Sequence, residues 1–129
     1  PEIWRRNYGL LLWRENFDGA ATWMDYTGTG NPWNDFDFKQ ANYRDQVFFY
    51  PTDTGIIDAI AIKGYREAVD DVRYMTTLEK AIESAPPSPD RSAAERFVAG
   101  LKSNDRIRSD DLHTIRAEII EHLLRLKRL

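Results

Sequence analysis

The chain has 129 residues, 42% of them hydrophobic and 30% charged, enough apolar content for one packed domain or part of one. Its net charge of −3 gives no support for a nucleic-acid or membrane-surface partner, and no apolar run approaches the roughly 18 residues of a membrane span. There is no cysteine, which excludes disulfides, thiol nucleophiles and thiolate metal sites.

Residues 2–15 read as a helix, because Trp4, Tyr8, Leu11 and Leu12 recur at helical spacing, and Asn16 to Gly19 closes it with turn chemistry. The chain starts at Pro1 and runs directly into this pattern, so it reads as a cut inside a larger protein, which leaves localisation open. Residues 19–25 suit a short buried strand. Residues 26–45 form a long loop broken by Gly28, Gly30, Asn31 and Pro32, and loops of that length are usually functional. Residues 46–50 are a second short strand, ended by Pro51. Two strands do not make a stable sheet alone, which again points to a larger sheet.

A long helix follows over about 57–84. Ala61, Tyr65, Ala68, Val72, Met75, Leu78 and Ile82 fall on one arc, which Ile62 and Val69 widen. Gly64 is costly inside a helix and suggests close packing. Asp71 lies on the apolar arc, where an unpaired charge is expensive, so a tie to Arg6 or Arg44 is expected. Residues 85–90 punctuate the chain. A helical pair then spans about 89–103 and 110–128; Ser92 with Glu95, or Ser88-Pro89, can start the first, and Ser109 can cap the second. Leu112, Ile115, Ile119, Leu123 and Leu126 form its buried stripe. The organisation is thus residues 1–84 and a C-terminal helical hairpin over 85–129, which carries 9 basic and 7 acidic side chains.

The richest chemistry lies in Trp23–Tyr50, where nine of 28 residues are aromatic and four are aspartates. Flat aromatic faces can stack on the C–H faces of sugars, and carboxylates can accept from their hydroxyls. Trp23 and Trp33 are candidate platforms, and Asp25, Asn34, Asp35 and Asp37 candidate hydroxyl ligands; the alternative is that Trp23 fills a core and the aspartates form turns. Phe36, Phe38, Phe48 and Phe49 read as core. Asp25, Asp35 and Asp37 lack the spacing of a calcium loop, and Gly28-Thr29-Gly30 is not followed by a helix, so neither a metal nor a phosphate cradle is expected. His113 and His122 lie on different faces and read as surface histidines.

Within the long helix, Arg66-Glu67-Ala68-Val69-Asp70-Asp71-Val72-Arg73-Tyr74-Met75 resembles the closing helix of glycoside hydrolase family 123, also described as domain of unknown function 4091. That helix carries Arg-Glu-Gly-(apolar)-Glu/Asp-Asp-x-x-Tyr-Leu. Ala68 stands where the family has Gly, and Ala61 where it often has Arg. Arg6, Gly9, Leu12-Trp13, Asp18-Gly19-Ala20, Trp23 and Tyr50-Pro51 also look like the end of that barrel, so the resemblance covers about residues 1–84. It implies an α/β fold, the helix-rich C-terminal portion of a (β/α)8 barrel, followed by the helical hairpin. It also implies a glycan substrate of N-acetylhexosamine type, cleaved with help from the substrate's own acetamido group by an adjacent Asp-Glu pair on an earlier strand. No position here corresponds to that pair, and Asp70-Asp71 is not it. The chain is therefore expected to supply sugar-binding residues but no catalytic ones, and no cofactor. Its expected partners are a carbohydrate, the missing N-terminal barrel portion and a second copy, but neither nucleic acid nor membrane. The rival reading is a non-catalytic structural, interaction or carbohydrate-binding module.

Overall fold

A computed structural model describes residues 2–21 and 48–127. It is helix-rich with one small antiparallel sheet: α1 (Glu2–Tyr8), α2 (Leu10–Arg14), β1 (Phe49–Thr52), β2 (Gly55–Asp58), α3 (Ile60–Ser84), α4 (Pro89–Ser103), α5 (Arg106–Ser109) and α6 (Leu112–Leu126). Among the described residues no helix is long and apolar enough to cross a membrane.

The first helical pattern is divided at Gly9. The backbone there leaves the helical region, at φ −113° and ψ −115°, and α2 restarts one residue later. Gly9 is buried, and a Cβ on it would lie 2.5 Å from the Arg5 carbonyl oxygen, 3.1 Å from Ala68 Cα and 3.2 Å from Ala68 Cβ. The absent side chain lets the α1–α2 junction press against the middle of α3. Asn16 stops α2 in the left-handed region, at φ 60°, a conformation Asn tolerates better than most residues.

The strands differ from the sequence expectation. Residues 19–21 are exposed and irregular rather than a buried strand, and residues 22–25 lie outside the described residues. The second predicted strand runs on through Pro51, and its partner is the next segment: Phe49 pairs with Asp58, Tyr50 with Ile57, Pro51 with Ile56 and Thr52 with Gly55. Pro51 is tolerated because an antiparallel strand turns every second N–H away from its partner. The hairpin takes the residues assigned to the start of the long helix, so α3 begins at Ile60. Ile56 and Ile57 remain 63% and 51% exposed.

The core lies between α3 and the C-terminal helices. Met75 and Leu78 of α3 meet Ala94 and Leu101 of α4, Ile107 of α5 and the α6 stripe Leu112, Ile115, Ile119, Leu123 and Leu126, with Leu10 of α2 closing one end. The α6 stripe is as the periodicity predicts. On α3, Ala68, Met75 and Leu78 are fully buried, whereas Val69 turns outward at 42% exposure instead of widening the arc. Ser88 starts α4, accepting from the Arg91 N–H with Pro89 in the first turn. Asp111, not Ser109, caps α6 by accepting from the His113 N–H, because Arg106–Ser109 forms a helix of its own.

His122 is the exception among the surface assignments. Its ring lies against Phe97 of α4 at 4.8 Å between centroids, and Nδ1 is buried with no hydrogen-bond partner among the described residues. Burial lowers its pKa from the ordinary histidine value, and Arg125 adds to this against the opposing carboxylates of Glu121, Glu118 and Asp90. A histidine with a lowered folded pKa takes up its proton first in the unfolded chain. Its contribution is therefore complete above about pH 6.5 and is lost as pH falls through and below that value.

Two outcomes follow for stability measurements. Gly9→Ala should destabilise by about 1–3 kcal/mol in urea denaturation, the usual cost of overpacking. His122→Leu should flatten the fall in stability between about pH 7 and pH 5; an unchanged slope would show that His122 does not contribute to it.

Candidate functional site

The six sugar-binding candidates, Trp23, Asp25, Trp33, Asn34, Asp35 and Asp37, lie outside the described residues, as does Arg44. The two ends of that segment are described. It departs from Ala21, just beyond α2, and returns at Phe48, which is buried against Trp4 at 5.1 Å between ring centroids. Phe48 is core, as its apolar surroundings in the sequence suggest.

The signature residues of α3 divide between two faces. Ala68, Asp71 and Met75 point inward, while Arg66, Val69, Arg73 and Tyr74 point outward. Asp71 is 0% exposed and is held from two sides. Arg5 of α1 donates from Nε to Oδ2 at 2.6 Å and from Nη2 to Oδ1 at 3.0 Å. Arg116 of α6 donates from Nε to Oδ1 at 2.5 Å. The remaining donors are also placed. Arg5 Nη2 reaches the Leu112 carbonyl at 3.3 Å, and Arg116 reaches the Glu67 carbonyl at 3.0 Å and its carboxylate at 2.7 Å. Burial opposes the charge on Arg116, and hydrogen bonds and attraction to Asp71 and Glu67 outweigh it, so its pKa is raised. Arg5 Nη1 lies 3.0 Å from His113 Nε2. A guanidinium only donates, so Nε2 accepts and the ring proton sits on Nδ1.

The expected tie of Asp71 to an arginine is therefore present, but through Arg5 and Arg116 rather than Arg6. Successive helical residues point about 100° apart, so only one of Arg5 and Arg6 can face α3. Arg6 instead donates to the carbonyls of Ile107 at 2.8 Å and Asp110 at 3.2 Å. Arg116 had a readable signal: it falls on the same α6 face as Leu112 and Ile119, where a lone cation demands a buried anion.

Beside this network is a cavity of about 400 Å³. Tyr8, Leu12 and Trp13 form one wall, Tyr65, Val69, Val72, Arg73 and Thr76 of α3 another, and Asn16–Ala20 the rim. Trp13 is fixed from behind: its indole N–H donates to Glu79 at 3.2 Å, and Lys102 lies 4.8 Å from its ring centroid. Among the described residues no group of three or more metal-ligating side chains comes together. Compared with family models, with curated proteins and with solved structures, the chain matches none.

Asp71→Asn should destabilise by about 3–5 kcal/mol in chemical denaturation, because it leaves two arginines facing a group that cannot neutralise them. A change within error would mean that the network adds nothing to stability.

Proposed function

We propose that this chain is the C-terminal portion of a glycosidase-like (β/α)8 barrel resembling glycoside hydrolase family 123, acting on glycans of N-acetylhexosamine type. In this role it lines the substrate site with Trp23, Trp33, Asp25, Asn34, Asp35 and Asp37 and leaves the catalytic pair to the N-terminal barrel portion. The observation that carries the reading is the behaviour of the signature on α3. Its second aspartate is buried and clamped, its small residue Ala68 receives Gly9, and its Met75 enters the core. The motif thus serves packing on its inner face, which suits a closing helix, and the aromatic–aspartate segment lies in sequence between the helices held together there. Active sites of such barrels lie in the loops after strands, which suits a long polar and aromatic segment better than the helices.

The rival reading, a non-catalytic structural or interaction module, draws on the sheet. A two-stranded hairpin with Ile56, Ile57 and the adjacent Ile60 exposed needs a cover, either the barrel's other strands or a second copy.

The purified chain should not turn over an aryl N-acetylhexosaminide, and turnover would place catalytic residues within it. Titration with N-acetylglucosamine should show binding that Trp33→Ala weakens by about tenfold, the scale of one lost aromatic contact. No binding by the wild-type chain would favour the structural reading. Light scattering should show self-association, while a monomer at high concentration would count against the exposed hairpin as a copy-to-copy contact.

A further inference from the structure

We infer that the cavity between α2, the Asn16–Ala20 turn and α3 is a saccharide subsite whose lining does not include Trp33; this rests on the glycan reading above. Three observations point to the ligand's chemistry.

The first is Phe17 on the rim, 64% exposed and with no aromatic partner among the described residues. A large apolar ring in water gains from being covered, and a flat face is best covered by another flat or gently puckered ring. Leu12 and Val72 continue the apolar surface inward.

The second is that hydrogen-bonding groups share this rim. Among the described residues the side chains of Asn16 and Asp18 have no hydrogen-bond partner, and Arg73, whose side chain is 78% exposed, has only a loose 3.6 Å pair with Asp70. A purely apolar ligand would strip water from these groups without replacing it, at the cost of unmade hydrogen bonds. A ring carrying hydroxyl groups satisfies both demands: its C–H face covers Phe17, and its edges meet an amide, a carboxylate and a guanidinium.

The third is charge. Asp18 and Arg73 balance one another in the lining, which leaves no net charge to draw a phosphorylated or carboxylated ligand and suits a neutral saccharide. The volume, about 400 Å³, is within the usual range for small-molecule sites. The position matters as well, because the rim ends at Ala20, next to the start of the segment that holds the other candidates.

The test is residue-resolved NMR titration of the whole chain with N,N′-diacetylchitobiose and cellobiose, and with adenosine as a flat neutral control. Saturable amide shifts are expected over residues 16–20 and 69–76. Phe17→Ala, a change at an exposed position that spares the core, should weaken them by about tenfold, whereas Trp33→Ala should leave them in place. Sugar-induced shifts lost in Trp33→Ala but retained in Phe17→Ala would overturn the cavity site while keeping the glycan reading. Shifts at these residues with adenosine as strong as with the sugars would overturn the saccharide assignment. No shift with either sugar would overturn both readings together.

Discussion

One buried carboxylate organises the described part of this protein. Asp71 sits at the centre of α3 with α1 on one side and α6 on the other, and each of those helices sends one arginine to it. A carboxylate in that position is tolerable only if its charge is opposed and its lone pairs are filled, and two guanidinium groups do both. The geometry constrains the helices more tightly than apolar contact could. Leucines and isoleucines tolerate sliding, while a two-point Arg5 contact and a fork from Arg116 to Asp71 and Glu67 fix rotation as well as distance. The close approach at Gly9 is the steric counterpart, since it brings the α1–α2 junction onto Ala68, one helical turn before Asp71.

The cavity depends on this arrangement. Its walls are the outward sides of the elements that the network holds together, with Tyr8 above α1 and Tyr65, Val69, Val72 and Arg73 along α3. The signature helix thus has two duties on two faces: the inner one is spent on packing, and the outer one offers aromatic, aliphatic and charged groups to solvent. Trp13 joins the two, braced by Glu79 and Lys102 from behind while lining the cavity in front. Candidate chemistry on α3 therefore belongs to Val69, Val72 and Arg73 rather than to Asp71, whose oxygens are already occupied.

The helical parts were legible because apolar period and burial coincide in them. The α6 stripe, the length of α3 beyond its first turn and the Ser88–Pro89 start of α4 all follow from local spacing and capping chemistry. The strands were legible only in part: the second predicted strand overlaps β1, but β2 was missed, because a four-residue segment carries too few residues for a period to show, and Pro51 looks like a terminator when it is an edge residue. Asp71 announced its need for a cation, but not which one. The choice among Arg5, Arg6 and Arg116 is a matter of helix phase and tertiary placement, with Arg116 separated from it by 45 positions. Tryptophans and aspartates drew attention to residues 23–37. The cavity escaped notice because its lining comes from two distant segments, each ordinary by itself.

The two arginines of α1 reach across almost the whole chain. Arg5 meets the Leu112 carbonyl over a separation of 107 residues, and Arg6 meets that of Ile107 over 101. Contacts of such span give nothing back until the intervening chain has been closed into a loop, so they contribute little to early folding and much to its completion. A ribosome delivers α1 before its carbonyl partners, with 101 or more positions between them. Helix α1 therefore waits for its polar anchors while that stretch is made, and its docking marks the moment at which α1 and the α5–α6 region become one cooperative unit.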